Sequence, residues 1–210
     1  MDRLVKLGWY ALLAAMAGDI LISLILPVFY SGYSICKMSI SALGNPQSPV
    51  RLPFNIWMLV EGLLFLAAIP AFCRMYEPVS KGLTITTAVF IAAFAVGACI
   101  FTCFFSVNES KEVVTAASRI HGAGSIIGFM LFLFVPLLMA ILSFKSGDGV
   151  TGGISVACFV LALIFFALFV MSDKEELSKT FVANEGLWQR LNLLFMYLPL
   201  GLAAVKGIIK

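Results

Sequence analysis

Six apolar blocks, each about twenty residues long, alternate with shorter polar segments along this chain. They cover approximately residues 9–30, 54–73, 83–107, 120–144, 154–171 and 187–205. About twenty helical residues, rising ~1.5 Å each, cross a hydrocarbon layer ~30 Å thick. Backbone N–H and C=O groups find no water there, so each block is expected to close its hydrogen bonds as a helix. The pattern therefore predicts an all-α fold: a polytopic integral membrane protein forming one six-transmembrane-helix bundle over residues 1–210. The first block follows a short charged start and resembles a secretory signal. Its length, the central Asp19 and the lack of a small-residue cleavage site favour a permanent span.

The polar segments carry the punctuation. Trp9 and Tyr30 bracket the first block, as aromatic rings do at membrane interfaces. Pro46, Pro49 and Pro53 forbid a continuous helix between the first two blocks, and Pro70, Arg74 and Glu77-Pro78 are expected to stop the second. Pro136 and Pro199 predict kinks in the fourth and sixth blocks, and glycines at 147, 149, 152 and 153 mark a flexible connection.

Composition agrees with the pattern. The chain is 61% hydrophobic and 12% charged, with a mean hydropathy of +1.05; soluble domains have ~45–50% apolar and ~25% charged residues. The net charge of +3 needs no nucleic acid to explain it, because no Lys/Arg-rich run with interleaved aromatics is present. The expected partner is the lipid bilayer, with a lipid or other amphiphile as ligand. The five cysteines show no CxxC spacing and form no disulfide framework. Cys99 and Cys103 are four residues apart, but His121 alone could join them, too few ligands for a tetrahedral metal site. No metal and no cofactor is expected.

An even number of spans puts both termini on one side. Lys and Arg divide equally: Arg3, Lys6, Arg74, Lys81, Lys145, Lys206 and Lys210 face Lys37, Arg51, Lys111, Arg119, Lys174, Lys179 and Arg190. The first set lies in short loops, where basic residues weigh most, so the termini are expected in the cytoplasm and the protein in the plasma membrane. The longer loops holding SISALG, SRIHG and GLWQRL then share the extracytoplasmic side.

Ionisable groups in a membrane must face protein or water. Asp19 lies mid-way along the first block and Glu61 two turns into the second. They read either as a pair that handles protons or ligand, or as structural groups: Glu61 bridged to Arg190 or Arg119, Asp19 bonded to serines or threonines. His121 begins a helical face with Gly124, Ser125 and Gly128, suited to close helix contact or to a ligand. Ser39 and Ser41 could serve as nucleophile with His121 as general base and Glu61 or Asp19 as third member, or could simply cap loop backbone. Gln189 and Arg190 enter the sixth block and must point inward; Arg190 is read as a salt bridge to Glu61 or an anchor for lipid phosphate. Asn108-Glu109-Ser110 matches a glycosylation sequon, relevant only in a secretory-pathway host.

SISALG after the first block, FN opening the second, RIHG the fourth and GLWQRL the sixth together resemble a prokaryotic membrane-protein family, domain of unknown function 998. The resemblance covers essentially the whole chain and rests on Ser39, Ser41, Leu43, Gly44, Asn55, His121, Gly122, Arg190 and Leu191. It implies a six-helix integral membrane protein and no reaction.

One expectation gathers these readings. His121, Arg119, Glu61, Arg190, Gln189 and the Ser39/Ser41 loop should form a polar pocket near the extracytoplasmic surface, suited to an amphiphile. The alternatives are a lipid hydrolase or transferase using His121 as base, and a proton-coupled transporter using Asp19 and Glu61.

Overall fold

Where water is absent the backbone must satisfy itself, and every apolar block of this chain does so by coiling into helix. The computed structural model describes residues 3–108 and 114–209. Six helices among them are long and apolar enough to span a membrane: Arg3–Phe29, Arg51–Tyr76, Lys81–Phe104, Ala116–Lys145, Gly149–Met171 and Glu185–Ile209, here the first to sixth spans. The described residues contain no strand. Both described ends lie on one face, the terminal face, with the turns at 77–80 and 146–148; the longer connections form the opposite, loop face. Lys111 and Lys210 of the charge count, and Glu109 and Ser110 of the sequon, lie outside the described residues.

Prolines end fewer helices than expected. The second span begins at Arg51, with Pro53 in its first turn, where the missing N–H has no intrahelical acceptor to lose. It runs through Pro70 to Tyr76, and the sixth runs through Pro199 to Ile209. In lipid, leaving the helix would strand more backbone groups than one proline removes.

The fourth span does break. Its first half, Ala116–Phe132, stops before a second helix, Val135–Lys145, which carries Pro136 in its first turn. The halves differ in their neighbours: the first packs mainly on the third span, while the second packs mainly on the fifth and also touches the third and sixth. The third span bends to meet the first half through a π-helical segment, Ala95–Ile100. There Gly97 and Gly124 pass so closely that a Cβ on Gly97 would sit 2.3 Å from the Gly124 carbonyl oxygen.

Toward the terminal face the bundle is filled. Trp9, Leu12, Phe65, Phe132, Met139 and Leu200 have almost no exposed surface. Phe94 stacks on Phe132 at 4.3 Å between ring centroids, and Phe65 meets both edge-on. Toward the loop face the packing parts, because the first half of the fourth span leans away from the fifth. The loop after the first span folds over this end, with Ile40 and Leu43 of the 3₁₀ turn Ile40–Gly44 buried. Gly186 lets it approach: a Cβ there would lie 2.1 Å from the Met38 carbonyl oxygen.

Candidate functional site

Arg190 ties the first loop to the bundle. Its guanidinium donates to the carbonyls of Ile35 (2.8 Å), Gly186 (2.9 Å) and Ser23 (2.9 Å), and to the Tyr33 hydroxyl (3.0 Å). Tyr33 passes the tie onward, donating to the Ser39 carbonyl at 2.7 Å. Burial pushes the Tyr33 phenol above its ordinary pKa, so it stays a neutral donor. Next to this knot, Gln189 Oε1 accepts the Ile40 N–H at 2.7 Å. Residues from two successive positions of the sixth span thus hold the loop.

Deeper in the bundle, Asp19 and Glu61 meet on one phenol. The Tyr197 hydroxyl lies 2.9 Å from Asp19 Oδ2 and 3.3 Å from Glu61 Oε1. All three side chains are buried, Glu61 completely. A phenol has one hydrogen, so the second contact is a hydrogen bond only when a carboxyl donates back to the phenol oxygen. The arrangement holds a proton between the two acids or leaves one contact unmade. Among the described residues Glu61 Oε2 has no well-formed hydrogen bond; the Cys99 thiol and the Trp57 indole N–H are further donors near this carboxyl.

His121 sits one turn into the fourth span and is buried. Its Nδ1 lies 3.0 Å from the Phe105 carbonyl oxygen, which can only accept, so in the neutral ring Nδ1 carries the hydrogen. Nε2 is then the lone-pair nitrogen, 3.5 Å from the Ser125 hydroxyl. The His121 face divides its work. Gly124 and Gly128 lie against the third span, while His121 and Ser125 turn toward open space.

That space is a cavity of about 520 Å³ between the splayed helices. Asp19, Ser41, Glu61, Thr102, His121, Ser125 and Gln189 supply its polar lining, and phenylalanines from four spans make up much of the rest. Lateral to it, Ile126, Met130 and Val170 line the same cavity while 65%, 41% and 52% exposed, so it opens toward lipid between the fourth and fifth spans. A smaller cavity of about 210 Å³ lies beside it, lined by Ser23, Ile35 and Arg190. Asp19, Ile40 and Leu193 line both and form the wall between them.

The expected pocket is therefore assembled differently. His121, Glu61, Gln189, Ser41 and Asp19 converge on one cavity. Arg190 does not pair with Glu61, because backbone carbonyls already occupy its guanidinium. Nor does Arg119, which is exposed and does not line the cavity. Asp19 is held by Tyr197 rather than by serine or threonine hydroxyls. Ser39 lies outside the cavity lining, its hydroxyl 3.3 Å from that of Ser41. Among the described residues no serine–histidine–acid triad forms: Ser41 has Ser39 as its hydroxyl partner, and the Phe105 carbonyl, not a carboxylate, orients His121.

Tyr197 is the residue that sequence reading undervalued. Gln189, Leu193 and Tyr197 recur at every fourth position, which puts the phenol on the cavity side of the sixth span. The Phe105 carbonyl had no signal in the sequence, since which backbone oxygen meets His121 depends on where the third span ends.

No curated protein and no solved structure matches the chain. A family model described as "Protein of unknown function (DUF998)" matches residues 12–206, which span all six helices. The chain, a multi-pass membrane protein by its six apolar helices, belongs to that family.

Proposed function

We propose that this protein binds a lipid or other amphiphile, with the polar end among Glu61, His121, Gln189 and Ser41 and the apolar chain leaving between the fourth and fifth spans. One observation carries the reading: a cavity with a polar interior, phenylalanine walls and a mouth at Ile126, Met130 and Val170 that faces lipid. Such a space, within the ~300–1,000 Å³ usual for ligand sites, suits a molecule polar at one end only. The loop face is placed outside the cell and the termini in the cytoplasm. Of the basic residues on the loop face, Arg190 is engaged in holding the loop and carries little topological weight.

A photoreactive amphiphile tests this in native-like membranes. Saturable labelling should concentrate on the fourth and fifth spans and fall when Ile126→Trp narrows the mouth. Even labelling of every lipid-facing span, indifferent to Ile126→Trp, would overturn the proposal.

The second reading is an enzyme in which His121 takes a proton from a water. It is favoured by the orientation of the ring, whose Nε2 has only the 3.5 Å Ser125 contact. Turnover of a bound lipid ester that stops in His121→Gln would establish it. Transport through Asp19 and Glu61 has weaker support, because Phe65, Phe94 and Phe132 close the bundle between these acids and the terminal face.

A further inference from the structure

The charge around the large cavity does not balance. Two carboxyl side chains, Asp19 and Glu61, line it, and no lysine or arginine is among its lining residues. Arg190 shares the smaller cavity with Asp19 and is the cation positioned to offset that acid. Glu61 lines the large cavity, fully buried, with no well-formed bond on Oε2 and, besides Tyr197, only the neutral donors Cys99 and Trp57 close to its carboxyl. A buried acceptor without a donor is costly, and a buried negative charge without a counter-charge more so.

The other polar groups lean the same way. His121 Nε2 is an acceptor in the neutral ring, and the Thr102 hydroxyl donates to the Ala98 carbonyl at 2.6 Å, leaving its lone pairs. The remaining donors are the Gln189 amide, whose oxygen is occupied by Ile40, the Ser41 hydroxyl, and the Ser125 hydroxyl, which faces His121 Nε2 at 3.5 Å. Phe54, Phe94, Phe129, Phe166 and Phe169 line the walls, and aromatic faces attract cations and repel anions.

Resting on the amphiphile reading above, we infer that the ligand of this cavity is a long-chain amine, whose ammonium donates to Glu61 Oε2 among the phenylalanine faces, and not an anionic phospholipid or fatty acid. A phosphate or carboxylate would set like charge beside Glu61 in a site of low dielectric. The ammonium provides the missing counter-charge, and with it charged donors where Glu61 has only the neutral Tyr197, Cys99 and Trp57. Its single alkyl chain follows the apolar walls to the mouth at Ile126.

The test uses the full chain in nanodiscs of zwitterionic lipid, with radiolabelled dodecylamine as probe. Unlabelled dodecylamine, monolauroylglycerol and dodecyl phosphate compete, so chain length is held nearly constant while the head varies. Dodecylamine should displace the probe at a concentration at least about tenfold lower than either competitor. Glu61→Gln should remove most of that preference. Equal or better displacement by dodecyl phosphate or monolauroylglycerol in the wild-type protein overturns the inference, whether or not the Gln variant folds. If no dodecyl compound shows saturable binding that Ile126→Trp reduces, the amphiphile reading itself fails.

Discussion

Two polar clusters lie within a few residues of each other on the loop-face half of the bundle, and they are built on opposite principles. Around Arg190, four contacts of 3.0 Å or less fix the two terminal nitrogens to three carbonyls and a phenol, with Nε alone unpartnered, and a loop is held in place. Around Glu61, one phenol is stretched between two acids and an oxygen is left bare beside a cavity. The sequence presents both residues alike, as a charge inside an apolar block. The difference teaches that polarity in a membrane bundle marks a ligand site where it is incompletely satisfied and faces space. Where most of it is taken up in tying one segment to another, it marks architecture.

That contrast can be broken most directly at Arg190. Arg190→Ala leaves the carbonyls of Ser23, Ile35 and Gly186 without their donor. A loss of about 3 kcal/mol or more is expected in reversible unfolding in bicelles, since bonds to charged groups contribute ~1.5–3 kcal/mol each and are not additive. Arg190→Lys should recover little, because an ammonium lacks the planar fork that reaches several carbonyls. A near-neutral Arg190→Ala would mean that the knot is decorative.

The seam that opens the cavity comes next. Gly124→Ala places a methyl 2.8 Å from the Gly97 carbonyl oxygen, and overpacking of this kind costs ~1–3 kcal/mol. The first half of the fourth span should tilt off the third, so amphiphile labelling should change along with stability. A stability change with unaltered labelling would separate the seam from the cavity.

At the carboxyl cluster a smaller structural effect is expected. Tyr197→Phe removes the shared hydroxyl and should destabilise by about 1–2 kcal/mol. If the two clusters are independent, its effect should add to that of Arg190→Ala within ~0.5 kcal/mol. Coupling well beyond that would show that Asp19, which lines both cavities, joins them into one network.

The smallest effect lies on the terminal face and serves as a control. Asp148 accepts from the Thr151 N–H at the start of the fifth span and pairs with Lys206 of the sixth. The Lys206 hydrogen bond, ahead of those from Thr151, lowers its pKa from 3.8 to about 2. A depressed folded-state value means the contribution is present above the unfolded value near 3.8 and lost as pH falls through about 2. Asp148 is about one-third exposed, so screening keeps the effect modest. Asp148→Asn should flatten the pH dependence of thermal stability between pH ~4 and ~2 without changing amphiphile binding.

Much of the architecture was legible in the residues. Long apolar runs gave the number of spans, and counting gave the common face of SISALG, RIHG and GLWQRL. Span ends were less legible: Pro53 and Pro70 read as breaks, yet both lie within the second span, because lipid penalises an open backbone more than a missing N–H. Of the residues expected together, His121, Glu61, Gln189 and Ser41 line one cavity, joined by Asp19, while Arg190 lines the smaller one and Arg119 and Ser39 line neither. Arginine in an apolar block signals only that a partner exists. Whether the partner is a carboxylate or a set of carbonyls depends on loops whose course has no periodicity to read.

The sequence by itself determined that this chain is six membrane helices with most of its ionisable groups at the span ends and connections, because hydrocarbon imposes length, helicity and the exclusion of charge residue by residue. Only the tertiary structure decided which polar groups are satisfied and which stay open. Tyr197 bridging two acids, Phe105 orienting His121 and the splay of the broken fourth span all depend on distances between helices. For the fourth span, that distance is marked by the close approach of Gly97 to Gly124 in the π-helical segment of the third.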